Sequence, residues 1–271
     1  MIKKGLALSP AGSRFAPLFF RGDLKKGVET AAKLGFDGVE ISVGNPERLD
    51  GRAIKAMISD LDLEIVTVAT GQSYVDDGLP LVTDDAVLLE RALERLHRVI
   101  DFAGDIGSRN VTLGGIRGNA VYGEHDEMVK RLVEPLRICA RFALERGLGI
   151  LLEPVNRYEV STIFRMDQAE SLMKMADSGN ISLLYDVYHA NIEEESIVAP
   201  LGRHMKVIGA VHFADSNRLV PLSGHIPFFE VARCLSAHSY SGYVTIEALP
   251  EPEDDLAAVR AIKALDLLWE R

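Results

Sequence analysis

Four short runs decide how this chain reads: Gly149-Ile150-Leu151-Leu152-Glu153, Ile181-Ser182-Leu183-Leu184-Tyr185-Asp186, Val207-Ile208-Gly209-Ala210-Val211-His212 and Gly242-Tyr243-Val244-Thr245-Ile246-Glu247. Each is nearly continuous in apolar residues, as expected of a parallel strand covered on both faces. Each also closes on a carboxylate or an imidazole. The closing residues are spaced by 33, 26 and 35 positions, about one strand-plus-helix unit each. Toward the N-terminus the same kind of run recurs at 4–9, 38–43, 64–70 and 110–114, which makes eight candidate strands.

Helical stripes fill the gaps. Leu24, Val28 and Ala31 follow Asp23, a suitable N-cap, and Gly35 stands where a C-terminal cap belongs. Leu89, Leu93, Leu96, Ile100 and Ala103 recur every three or four residues and stop at Gly107. Met128, Leu132, Leu136, Cys139 and Ala143 do the same up to Gly147, with Pro135 expected to kink that helix. Eight strands alternating with helices, and no Pro/Gly/Ser-rich linker, predict an α/β fold. The expectation is a single (β/α)8 TIM barrel over residues 1–271, not an open doubly wound sheet.

Composition narrows the function classes. The chain has 271 residues, 47% apolar and 26% charged, without biased tracts, so a largely disordered or fibrous protein is excluded. A net charge of −10 argues against a general binder of nucleic-acid backbones. No apolar run is long enough to span a bilayer, and the apolar stretch after Met1-Ile2-Lys3-Lys4 is too short for a secretory signal, so none is expected. With only Cys139 and Cys234 there is no disulfide framework, and the cytoplasm is the expected compartment.

In a barrel of this kind the active site forms at the C-terminal ends of the strands. Glu153, Asp186, His212 and Glu247 would then share one mouth. Three carboxylates facing one another repel unless some are protonated or a cation lies between them. The donor set suits Mn²⁺ best, with Mg²⁺ or Co²⁺ as alternatives, at one divalent ion per subunit. Taken singly, each residue reads equally well as a solvated strand end; four at matching positions do not. Glu40 reads as a rim residue of the second strand rather than a ligand.

The flanking segments add a resemblance. Glu153-Pro154-Val155-Asn156-Arg157-Tyr158-Glu159, Asp186-Val187-Tyr188-His189-Ala190-Asn191, His212-Phe213-Ala214-Asp215-Ser216-Asn217-Arg218 and Thr245-Ile246-Glu247-Ala248-Leu249-Pro250 resemble the ketose 3-epimerases, the D-tagatose and D-psicose 3-epimerase family of xylose-isomerase-like barrels. Through Gly71-Gln72-Ser73-Tyr74, Asp77-Gly78-Leu79 and Arg117-Gly118 the sequence looks still more similar to acid-sugar members of that family, the 5-keto-L-gluconate epimerases. The resemblance implies that Glu153, Asp186, His212 and Glu247 bind the cation and that Glu153 and Glu247 are the acid/base pair. It also implies that Glu159, His189 and Arg218 hold substrate. Arg117, after the fourth strand, is the candidate for gripping a substrate carboxylate, and Gln72 for facing the pocket. The stretch Pro221-Leu222-Ser223-Gly224-His225-Ile226-Pro227-Phe228 departs from the relatives, which usually carry a Pro-Gly and a later Asp-Phe there.

The expected chemistry is inversion of the carbon beside a ketone (C3) in a keto sugar or keto sugar acid, such as 5-keto-L-gluconate or D-tagaturonate. A cation would stabilise the enediolate while two glutamates remove and return a proton on opposite faces. An aldose–ketose isomerase is the nearest alternative. A dehydratase ranks lower, and so does an endonuclease IV-like phosphodiesterase, which needs several metals and a basic surface. The partners expected are a small-molecule sugar and further copies of the chain in a dimer or tetramer, with neither nucleic acid nor membrane.

Overall fold

The alternation is realised as β1 (Lys3–Leu8), α1 (Leu24–Leu34), β2 (Gly38–Ser42), α2 (Gly51–Ser59), β3 (Glu64–Ala69), α3 (Gly71–Val75), α4 (Ala86–Ile106), β4 (Asn110–Leu113), α5 (His125–Arg131) and α6 (Val133–Glu145). It continues through β5 (Gly149–Leu152), α7 (Met166–Ala176), β6 (Ile181–Asp186), α8 (Val187–Glu193), α9 (Val198–His204), β7 (Ile208–Phe213), α10 (Phe228–Ala237), β8 (Tyr243–Ile246) and α11 (Asp254–Trp269). This computed structural model describes residues 2–119, 123 and 125–269. All eight strands pair in parallel with their sequence neighbours, and β8 closes on β1 through Lys3 opposite Tyr243 and Leu6 opposite Ile246. Strand ends fall within one residue of those read from the sequence.

Helix ends follow local chemistry. The Asp23 carboxylate accepts the Lys26 N–H at 3.2 Å, and Gly35 ends α1 in the left-handed region at φ 84°, where a Cβ would be strained. The predicted stripes face the barrel: Val28, Ala31, Leu96, Ile100, Ala103, Cys139 and Ala143 are wholly buried. Pro135 acts differently from the kink expected of it. The helical stretch is interrupted at Leu132, a new helix starts at Val133, and the proline sits in its first turn, where no N–H is required of it.

Strand periodicity then explains the site. Leu151, Leu184 and Ala210 form a small apolar cluster separate from the main core. Two residues further along the same strands, on the same inward face, come Glu153, Asp186 and His212. The polar layer thus rests on an apolar floor. On β8 the same step leads from Thr245 to Glu247, and β2 contributes Glu40, fully buried opposite Ala7 of β1. No helix among the described residues is long and apolar enough to cross a membrane.

Candidate active site

His212 is the hub of the polar layer. Its Nδ1 lies 3.9 Å from Glu153 Oε1 and 3.9 Å from Asp186 Oδ2, and its Nε2 lies 2.9 Å from Glu40 Oε2. Donor atoms of Glu153, Asp186 and His212 lie within 4.8 Å of one another, and so do those of Glu40, His212 and Glu247. The four sequence-predicted strand-end residues therefore meet as two overlapping triplets that share His212. Glu40 is the member that sequence reading left on the rim. A glutamate inside Gly38-Val39-Glu40-Ile41-Ser42 faces the interior only because the barrel closes.

Crowding acidic groups in a dry pocket shows in their protonation. Burial pushes Glu153 up to about 8, with Asp186 and Glu40 adding to the rise and His212 and Arg117 opposing it. Burial likewise holds Glu247 well above the ordinary carboxylate range, with Glu153 and Glu40 reinforcing it. Asp186 is raised by burial too, against the pull of His212, Arg218 and the His189 and Tyr188 N–H groups. Burial works against a charged His212, yet Glu40, by charge and hydrogen bond, together with Glu247 and Glu153 raises it well above an ordinary histidine.

His189 is fixed as a neutral donor. Asn156 Oδ1 accepts the Tyr158 N–H at 2.9 Å, which orients its amide. Asn156 Nδ2 then donates to His189 Nδ1 at 2.8 Å and to Glu159 Oε1 at 2.9 Å. His189 Nδ1 is thus an acceptor, and Nε2 carries the proton, 4.0 Å from Glu153 Oε1. Burial, and then the charges of Arg218, His212 and Arg117, keep the ring well below the usual histidine pKa. Asn156 escaped the sequence reading because its role lies in two hydrogen bonds, one of them across 33 residues.

Arg218 and Glu159, each expected to hold substrate, pair with one another, Nη1 to Oε1 at 2.6 Å, and Arg218 Nη2 reaches to 4.0 Å from Glu247 Oε2. The guanidinium also lies over the Tyr188 ring at 4.7 Å. Its loop is the one that departs in sequence. The buried Asp215 carboxylate gathers the N–H groups of Ser216, Ser223 and Ile226 at 2.7, 2.9 and 3.1 Å, and Arg218 adopts φ 59°.

Two expected contacts lie elsewhere. Arg117 is 1% exposed and turned away from the pocket. Its Nη1 donates to the carbonyls of Leu113 and Glu153 at 2.9 and 2.6 Å, and its Nη2 to those of Thr162 and Ile163 at 3.3 and 3.1 Å. It ties the β4 and β5 loops together and is not positioned to grip a substrate carboxylate. Gln72 is buried as well; its Nε2 donates to Ser9 Oγ at 2.7 Å, so it faces a neighbouring cleft rather than the polar layer. Gly114 matters for a reason composition hides. A Cβ there would lie 1.9 Å from Glu153 Oε2, so the carboxylate occupies the space a side chain would take.

The residues fit a divalent cation. His212 Nδ1 is buried without a hydrogen-bond partner and is faced by two carboxylates. Three carboxylates and one imidazole are oxygen-rich ligands of the hard-to-borderline type. The closed parallel barrel thus carries an acidic, histidine-centred mouth at the C-terminal ends of its strands. The chain belongs to the xylose isomerase-like TIM barrel family, whose profile matches residues 28–266. It is 26% identical over 255 residues to 3-dehydro-D-guloside 4-epimerase of Escherichia coli, covering 89% of this chain and 93% of that one. It is 25% identical over 243 residues to a probable ketose 3-epimerase of Synechocystis, covering 88% and 83%. A solved D-psicose 3-epimerase with D-tagatose from Clostridium cellulolyticum matches with TM-score 0.84 at 24% identity, covering 98% of each chain, a likeness of fold.

Proposed function

We propose that this protein is a divalent-metal-dependent sugar epimerase of the ketose 3-epimerase type, inverting the carbon beside the ketone of a keto sugar or keto sugar acid. The observation that carries the reading is the convergence of Glu153, Asp186, His212 and Glu247 on one buried mouth, where burial raises both Glu153 and Glu247 above the ordinary carboxylate range. The curated relatives, named as sugar epimerases and aligned over most of both chains, support it.

In this reading Glu153, Asp186, His212 and Glu247 hold the cation, Mn²⁺ before Mg²⁺ or Co²⁺. When bound, it supplies positive charge next to the substrate oxygens on which negative charge develops. Glu153 and Glu247 exchange the proton at the carbon beside the ketone, one taking it and the other returning it to the opposite face. His189 Nε2–H donates to a substrate oxygen, and Arg218, anchored by Glu159, orients a neighbouring hydroxyl. With Arg117 committed to backbone carbonyls, the keto-acid branch loses its expected carboxylate clamp, and neutral keto sugars move ahead. The reading includes a homo-oligomer in the cytoplasm, resting on the resemblance and the two free cysteines.

The test is deuterium exchange at the carbon beside the ketone, followed by NMR in D₂O, with Mn²⁺-loaded protein and a panel of ketoses and keto-uronates. Exchange with retention of the ketone supports an epimerase. An aldehyde product establishes an aldose–ketose isomerase instead, and loss of water a dehydratase. Exchange in none of the panel overturns the reading.

A further inference from the structure

The polar chamber does not stand alone at the mouth. Its water-accessible space is about 20 Å³, little more than one water molecule, so it leaves little room for more than the reacting end of a sugar. Beside it lies a cleft of about 480 Å³, within the range of small-molecule sites. The two share a wall one residue thick on three loops. Phe15, Ser42 and Gly71 line the chamber, while their sequence neighbours Arg14, Val43 and Gln72 line the cleft.

Placement gives the cleft a direction. The proposed cation-holding residues come from β5 to β8, whereas the cleft is built by the loops after β1, β2 and β3, on the other arc of the same rim. A sugar whose carbonyl lay over Glu153 and Glu247 would have the cleft beside it, across the Phe15, Ser42 and Gly71 wall. The lining chemistry says what the cleft suits. Its charged side chains balance, Arg14 and Arg48 against Asp76 and Asp77, and both carboxylates already have partners. Asp76 accepts the Arg14 N–H at 3.0 Å and pairs with the Arg14 guanidinium, and Asp77 pairs with Arg95. A charge-balanced wall broken by apolar Pro10, Val43 and Leu49 suits a neutral, hydroxyl-bearing ring with C–H faces better than a phosphate or a carboxylate.

We infer that this cleft is a subsite for a second, neutral glycosyl unit, so that the substrate class is a keto sugar bearing a glycosidic substituent on the end remote from the reacting carbonyl. The inference rests on the epimerase reading above and adds to it the size and chemistry of the substrate.

Gly12 provides the probe. It is exposed on the cleft, and a Cβ built on it has nothing within 4 Å, so Gly12→Trp introduces a bulky side chain at the cleft without a clash at its Cβ. The Mn²⁺-loaded protein is compared on D-fructose, its 6-O-methyl ether and 6-O-glucosyl-D-fructose, by kcat/KM for deuterium exchange beside the ketone. The expected result is a preference of about tenfold or more for the disaccharide over the free sugar, the scale set by filling a pocket, and its loss in Gly12→Trp. Equal or better turnover of the free sugar overturns the subsite while leaving the epimerase reading standing, as does a disaccharide preference that survives Gly12→Trp. Exchange in none of the three sugars or in D-tagatose removes the epimerase reading, and the subsite with it.

Discussion

Glu40 Oε2 accepts a hydrogen bond of 2.9 Å from His212 Nε2, across the barrel and across 172 residues of sequence. A carboxylate only accepts, so the bond fixes Nε2 as a protonated nitrogen and aims Nδ1 at Glu153 and Asp186. Such a partner sets the tautomer and ring orientation of a ligating histidine, and its loss usually costs 10–100-fold in metal affinity. Glu40→Gln is therefore expected to lower Mn²⁺ affinity by about tenfold or more, measured by titration calorimetry, with an unchanged circular dichroism spectrum. Wild-type affinity in that variant would show that the hydrogen bond does not orient the ligand.

Gly114→Ala tests the space that Glu153 occupies. The new methyl would meet Glu153 Oε2 at 1.9 Å, so the carboxylate must turn out of the pocket. Overpacking of this kind costs about 1–3 kcal/mol, and the activity should fall far more than the stability does. Deuterium exchange near the wild-type rate, with a normal melting curve, would mean that Glu153 has another productive position.

These two residues mark how far sequence reading reaches. Glu153, Asp186, His212 and Glu247 were legible because each terminates an apolar run, and the barrel rule carries strand ends to one rim. Glu40 was not, since one glutamate in a short strand looks the same facing in or out until eight strands have closed. Arg117 misled for a related reason. Its position after β4 suits a ligand contact, but carbonyls from three separate segments claim the guanidinium, and backbone carbonyls leave no trace in residue identity. Asn156 lies in the loop after β5, yet its partner His189 lies after β6, so the pair is not visible in either segment alone.

Arg117→Met separates structure from recognition. Removing the guanidinium takes that donor from the Glu153 and Thr162 carbonyls, while those of Leu113 and Ile163 keep the N–H groups of Glu153 and Val155, at about 1–3 kcal/mol for each carbonyl left unpaired that water cannot reach. The variant should be destabilised by about 3 kcal/mol or more in urea unfolding, and Arg117→Lys should recover little, since an ammonium cannot span two pairs of carbonyls. The ratio of kcat/KM between keto-uronates and neutral ketoses should stay at its wild-type value. A selective loss for keto-uronates would restore Arg117 as a substrate contact.

Metal binding should depend on pH with a defined sign. In the folded, metal-free chain burial lifts Glu153 from the ordinary 4.5 to about 8, and raises Glu247 and Asp186 as well. The folded state therefore binds more protons than the unfolded one across that window. Its stability from these groups is full below about 4.5 and is lost as pH rises toward about 8. A cation takes over the role of those protons, because ligands bind it deprotonated. At 100 times its dissociation constant a ligand adds about 2.7 kcal/mol, and the effective constant tightens as the competing protons leave. Scanning calorimetry with Mn²⁺ against EDTA should show a Tm gap that widens from pH 5 to pH 8, with proton release on binding near pH 6 exceeding that at pH 9. A gap that narrows over the same range would mean that the buried carboxyls are already ionised, and that some other charge stabilises the mouth.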